Sequence, residues 1–219
     1  MEPVSCVQHP ALFSFVMCGS NHSIRNDAHF SLFHLVENGC LPLACGDWPR
    51  CCYRNGSSMT EELVNGLAES LSRKQLKIVF AESCTGGLVS AALAGVPGIS
   101  EWLCGSAVTY RSPTKVAWLG VDATQISQHS AVCGEVALQM ALGVLEKTPE
   151  AELAISITGH LGPGAPEGMD GLVFIGIARR GEKGKPVADV LRRELKAHGR
   201  LVRQREAASL VMLTALEQA

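Results

Sequence analysis

From residue 60 to the C-terminus, apolar positions switch repeatedly between helical spacing and continuous runs. Residues 60–74 put Leu63, Leu67 and Leu71 on one stripe, and Thr60 precedes two acidic residues, Glu61 and Glu62. That order predicts an amphipathic helix capped by Thr60. "KIVFAE", 77–82, is short and apolar and predicts a buried strand, and "GGLVSAALAGV", 86–96, predicts a helix of small residues. Pro97 and Gly98 to Ser100 predict a turn. "SAVTY", 106–110, predicts a strand. Pro113 suits the first turn of a short helix over 112–120, and 122–130 predicts another short helical turn. Residues 133–147 have a clean helical period. Strands are predicted over 151–159 and 171–180, an edge strand over 187–196 and a closing helix over 199–218. Between them lie a Gly/Pro loop, 160–171, and a stretch of turn composition, 181–186. Helices alternate with strands, and the central strands are apolar throughout. This predicts an α/β domain whose sheet is covered on both faces.

Residues 1–58 break the pattern. They contain no lysine, only seven acidic or basic residues, and six of the nine cysteines. Turn formers recur without a sustained period. The expectation is a poorly ordered N-terminal extension, with the biological chain starting at Met59. His29, His34, Cys40, Cys45, Cys51 and Cys52 are metal-ligand types, but their spacing lacks the paired knuckles of a structural zinc site. No metal is expected. The start of the chain has an apolar patch without a basic region before it, so a signal peptide fits poorly.

Composition narrows the class. The 219 residues are 47% hydrophobic and 18% charged, with a formal net charge of -2. That is enough apolar material for one packed domain with an appendage. A near-neutral chain does not suggest nucleic acid as a partner. No apolar run reaches the length of a membrane span.

Four segments carry candidate chemistry. "AESCTGG", 81–87, sits where a strand gives way to a helix, the edge at which α/β sheets bind ligands. Ser83 and Thr85 are candidate nucleophiles or phosphate ligands beside Gly86 and Gly87, and free helix N–H groups there suit an anion. The alternative is that Thr85 merely caps the helix and the glycines allow close packing. The segment lacks the Lys-Ser/Thr ending of a P-loop. In "TYRSPTK", a buried Lys115 is a candidate base and Tyr110 a candidate oxyanion donor or proton relay, against a solvated lysine and a rim aromatic. "SITGHLGPGAPEGMDG", 156–171, is long for a loop and brings Thr158, Gly159 and His160 to the same edge. Arg200, Arg203 and Arg205 open the closing helix and suit phosphate or carboxylate, against a solvated basic turn.

Taken together, "AESCTGG", "VPGISEWLCGSAVTYRSPTK", "LGVDATQISQHSAVCGEVA", "ISITGHLGPGAP" and "GLVFIGIA", in this order, resemble the CinA C-terminal domain family from about Met59 to the C-terminus. The resemblance implies a three-layer α/β/α sandwich with a mixed, mainly buried sheet, often found as a homo-oligomer. It implies a cytoplasmic nicotinamide-nucleotide amidase that needs no cofactor and converts nicotinamide mononucleotide to nicotinic acid mononucleotide and ammonia. The family's serine nucleophile falls on Ser83, its tyrosine and lysine on Tyr110 and Lys115, and its threonine on Thr158. Thr85, Gly86, Gly87, Gly159, His160, Arg200 and Arg205 are then candidates for substrate binding. Two departures stand out. The family's "TGIAGPGG" reads "TGHLGPGAP" here, which introduces His160. Its "GDR…R" reads "HGRLVRQRE", which leaves Arg200 and Arg205 as rivals for one role, with the hydrophobic pattern favouring Arg205. Side-chain alternation at a strand end predicts that Ser83 faces the site and Cys84 the packing layer.

Overall fold

The computed structural model describes residues 60–181 and 185–219. The expectations for residues 1–58, the metal-ligand set of 29–52 included, lie outside the described residues, as does the middle of the 181–186 turn.

The first helix, α1 (Glu61–Lys74), starts as its sequence dictates: the Thr60 hydroxyl accepts from Leu63 N–H at 3.3 Å. It leads into β1 (Ile78–Glu82), which is buried along its whole length. A turn over 83–87 enters α2 (Leu88–Leu93), shorter than the predicted 86–96. Gly86 and Gly87 have φ of 65° and 98°, left-handed values that hold the helix off until Leu88. After a 3-10 turn (Ile99–Glu101) comes β2 (Leu103–Val108), three residues earlier than predicted. Helices α3 (Ser112–Leu119), α4 (Ala123–His129) and α5 (Gly134–Lys147) follow, then β3 (Leu153–Gly159), β4 (Leu172–Arg179), β5 (Val187–Glu194) and α6 (Arg200–Gln218).

The strands form one mixed sheet in the order β2-β1-β3-β4-β5. β1 is parallel to β2 and β3, and β4 and β5 add antiparallel to β3. Alternation along β1 and β3 sends Ile78, Phe80, Leu153, Ile155 and Ile157 to one face, where they pack with α1, α2 and α6. Val79, Ala81 and Ala154 go to the other, against α3, α4 and α5. The architecture is therefore the α/β/α sandwich expected. Two glycines set the spacing of the second face. A Cβ on Gly143 of α5 would collide with the Leu119 carbonyl oxygen of α3, and one on Gly176 of β4 with the Ala137 carbonyl of α5.

This topology creates a place for a site. β1 reaches β2 through α2 on one face, and β2 returns to β3 through α3, α4 and α5 on the other. The chain thus leaves the adjacent strands β1 and β2 towards opposite faces, and the boundary between them is the switch point at which such sheets open a crevice. Among the described residues, no helix is long and apolar enough to cross a membrane.

Candidate active site

The carboxyl ends of the three parallel strands share one edge of the sheet, and a cavity of about 230 Å³ lies there. Its walls are Ser83 and Cys84 after β1, Tyr110 and Lys115 after β2, Ala131 and Val132 before α5, the stretch from Thr158 to Ala165, and Arg200. Among the described residues no aspartate or glutamate lines it, and the charged wall groups Lys115 and Arg200 are cationic. A larger groove, about 550 Å³, lies between α1 and the turn at 96–102, lined by Ser72, Arg73 and Trp102 among others. It pairs no lysine with a serine, and the smaller cavity is where the reactive side chains meet.

Lys115 is placed by α3. Arg111 is extended, Pro113 fits the first turn, and Gly120 ends the helix at φ 68°. The lysine points inward and is only 1% exposed. Its Nζ donates to Met140 Sδ of α5 at 3.2 Å, a weak acceptor for an ammonium. Burial pushes the amine down to about 8, and the neighbouring Cys84 opposes that only in part. Cys84 is buried, and burial pushes its thiol up to about 12 against the pull of Lys115.

Ser83 is also buried, yet among the described residues its Oγ has no hydrogen-bond partner. The turn around it is otherwise tightly held. Ser83 N–H donates to Ile157 O at 3.1 Å, and Gly86 N–H to Ser83 O at 3.1 Å. From α6, Gln204 Nε2 donates to Thr85 O at 2.9 Å and Cys84 O at 3.4 Å. The N–H groups of Cys84 and Thr85 take no backbone acceptor among the described residues.

The start of α2 does not behave as the sequence suggested. Its N–H groups are not open to an anion, because the Glu82 carboxylate has already taken them. Gly87 N, Val89 N and Ser90 N donate to it at 2.9, 3.1 and 3.0 Å, and the Ser90 and Ser106 hydroxyls at 2.9 and 3.0 Å. Thr85 neither caps the helix nor lines the cavity, and its Oγ1 is buried without a partner. Gly86 and Gly87 shape the turn but lie outside the cavity wall. Cys84 packs into the core as expected but also lines the cavity beside Ser83. β1 ends at Glu82, so strand alternation no longer governs the next two side chains.

The remaining candidates separate. Thr158 Oγ1 donates to Ala131 O at 2.9 Å and lines the wall. Gly159 must be glycine on packing grounds, since a Cβ would collide with Val173 and lie 2.9 Å from Leu172 O. His160 lines the wall, and its buried Nε2 has no partner. Arg200 spans the mouth, donating to Tyr110 Oη and to Gly162 O, both at 2.8 Å. Arg205 is exposed and lies outside the cavity wall, so of the two rivals it is Arg200 that reaches the site. Neither Tyr110 nor Thr158 bonds to Lys115; their hydrogen bonds run to Arg200 and Ala131. Ser83 and Lys115 share the cavity without a direct hydrogen bond.

Glu82 and Gln204 were missed from sequence. A carboxylate that ends a buried strand just before Gly-Gly and a helix was a readable signal for Glu82, because helix N-termini attract anions. Gln204 gave none, while Arg203, one of the three arginines read as suited to phosphate or carboxylate, takes an internal carboxylate. Arg203 donates to Ala197 O at 2.8 Å and pairs with Asp170 at 2.7 Å, which ties the 160–171 loop to α6.

Comparisons with known proteins agree with this fold. The family model of the CinA C-terminal domain matches residues 60–217. A CinA-like protein of Dictyoglomus thermophilum is 44% identical over 132 residues, 59% of this chain and 31% of that one. A CinA-like protein of Chlorobaculum tepidum is 37% identical over 173 residues, 77% of this chain and 40% of that one. The chain thus spans about a third of the length of the curated relatives it matches. Among solved structures, a CinA superfamily protein of Klebsiella pneumoniae superposes with a TM-score of 0.66 at 28% identity, covering 72% of this chain and 95% of that one. The competence/damage inducible protein CihA of Agrobacterium tumefaciens gives 0.64 at 30% identity, covering 77% of this chain and 100% of that one.

Proposed function

The chain belongs to the CinA C-terminal domain family, and from that premise we propose that its cavity hydrolyses the carboxamide of nicotinamide mononucleotide to the acid and ammonia. The observation that carries this reading is the pairing of a buried lysine, held near 8, with a serine hydroxyl free of internal partners in one small cavity. An amide needs a nucleophile, a base that is neutral near pH 8, donors for the oxyanion and a proton for the leaving amine.

Each role has a candidate. Ser83 Oγ attacks the carboxamide carbon as its proton passes to the Lys115 amine, a Ser–Lys variant of the serine–base arrangement. The N–H groups of Cys84 and Thr85, which take no backbone acceptor, are the donors for the developing oxyanion. The Lys115 ammonium returns the proton to the departing nitrogen, and ammonia leaves. Water, deprotonated by the same amine, then hydrolyses the acyl-serine. Arg200 at the mouth supplies a fork for the 5′-phosphate, and the absence of wall carboxylates suits an anionic substrate. His160 supports a second reading, a related pyridine carboxamide, because it puts a polar ring where the family loop carries a small apolar residue.

The test is to incubate the purified chain with nicotinamide mononucleotide and quantify ammonia and nicotinic acid mononucleotide. Ser83→Ala is expected to remove turnover and keep substrate binding. Cys84→Ala is expected to leave most of it, since a thiol held near 12 supplies almost no thiolate at neutral pH. A dead Cys84→Ala with an active Ser83→Ala would move the nucleophile to the thiol. Absence of product from the wild-type chain would overturn the reading.

A further inference from the structure

Glu82 is almost fully buried, at 1% exposure, and lies outside the cavity wall. Its carboxylate nevertheless collects five hydrogen bonds, from three backbone N–H groups at the start of α2 and from two serine hydroxyls. Ser90 belongs to α2 and Ser106 to β2. One side chain therefore joins the end of β1 to both elements that follow it. The Ser83–Gly86 turn is the chain segment this clamp encloses. Its outer side is held by Gln204 of α6, through the carbonyls of Cys84 and Thr85. With the turn held on both sides, the Ser83 hydroxyl is left without an internal partner, and the N–H groups of Cys84 and Thr85 take no backbone acceptor. Those are the groups that attack and oxyanion binding require.

We infer that Glu82 is a positioning residue for the Ser83 nucleophile: its carboxylate fixes the turn that presents Ser83 Oγ and Cys84 N–H together. The inference rests on the reading of Ser83 as the nucleophile. Glu82 itself does not touch the substrate. A second consequence concerns substrate orientation. The N–H groups of α2 are spent on an internal anion, so an anionic substrate group must turn to the Arg200 side of the cavity.

Glutamine cannot replace the carboxylate. It has one acceptor oxygen for five donors, and its amide would aim N–H groups at other N–H groups. Misplacing a reacting group by about 1 Å can cost on the order of 100-fold in rate. Glu82→Gln is therefore expected to lower kcat per active site about 100-fold, with KM within about threefold because no substrate contact is lost. Ser106→Ala keeps the charge and removes one donor, and is expected to lower kcat by about three- to tenfold.

The test uses the full chain with two readouts. One is kcat and KM for nicotinamide mononucleotide. The other is the rate at which a fluorophosphonate phosphonylates Ser83, followed by intact mass. There an oxygen–phosphorus bond forms, fluoride leaves and the hydroxyl proton passes to the Lys115 amine. Parallel falls in kcat and phosphonylation rate, at little-changed KM, support the inference. A Glu82→Gln enzyme with lower melting temperature but unchanged kcat per phosphonylatable site overturns it, because that is what a merely structural role gives. If Glu82→Gln does not fold, Ser106→Ala decides, and an unchanged kcat there overturns the inference. A wild-type chain that is phosphonylated at Ser83 without hydrolysing the nucleotide sinks the proposed substrate alone, and the phosphonylation rates then judge Glu82. Wild-type Ser83 that neither reacts nor turns over sinks both.

Discussion

Lys115 is held where its charged form is poorly solvated: 1% exposed, with a thioether for a partner. In the proposed mechanism the neutral amine accepts the serine proton, and burial brings that form within reach at about pH 8. Activity is therefore expected to rise with pH through an apparent pKa near 8, read from the kcat/KM profile. Stability follows the same linkage. The native state binds fewer protons than the unfolded state between about 8 and 10.5, so stability climbs with pH across that window. Lys115→Met, close in length and without the charge, is expected to be inactive yet more stable at pH 7 by on the order of 2–3 kcal/mol. The advantage over wild type should fade towards pH 10.5, where wild-type lysine unfolds and folds uncharged; urea titrations at pH 7 and pH 10 would measure it. At this scale the sequence exposed the serine, lysine, tyrosine and threonine through motif and order. It misplaced the role of Thr85, because nothing local announced that Glu82 would fold back and take the helix N–H groups first. It also leaned to Arg205, because helical pattern identifies which face a residue occupies but not which side chain reaches across a loop.

Helix α3 owes its position to α5. Gly143 lets α3 approach so closely that an added methyl group would meet the Leu119 carbonyl. Gly143→Ala is expected to destabilise the fold by about 1–3 kcal/mol in urea unfolding, the range for forcing a methyl into a packed contact. Because α3 carries Lys115, the same change should lower kcat more than it raises KM, although residue 143 is not part of the cavity wall. The existence and order of the elements were legible from period and from Thr60, Pro113 and the glycine stops. Their edges were less so. β2 starts at Leu103 because it pairs with Ile78 of β1 there, a register no local pattern encodes. α2 starts only at Leu88 because Gly86 and Gly87 take left-handed φ, which a helical reading of "GGLVSAALAGV" had absorbed.

At the scale of the molecule, the cavity is assembled from segments far apart in sequence and closed by the last helix. Arg200, Arg203 and Gln204, within about one turn of α6, reach Tyr110, the 161–170 loop and the Ser83 turn respectively. All three strand ends of the site are thus tied to one helix start. Since these parts and the family match lie within 60–219, a chain of residues 59–219 is expected to fold and keep whatever share of the proposed amidase activity the full chain has, checked by comparing their kcat/KM values. Its chain-length dependence in light scattering would also test the homo-oligomer that the resemblance implies. What the sequence by itself determined is the layered α/β class and the edge of the sheet at which Ser83 and Lys115 come to line one cavity. Hydrophobic period and turn residues act over a few positions, and motif order survives without coordinates. The tertiary structure alone decided which polar groups remain unspent. Glu82 consumes the helix terminus, Gln204 the turn carbonyls and Arg200 the tyrosine hydroxyl, while Ser83 Oγ stays free. Such an allocation depends on side chains up to 120 positions apart meeting within hydrogen-bond distance, and only the folded chain brings them together.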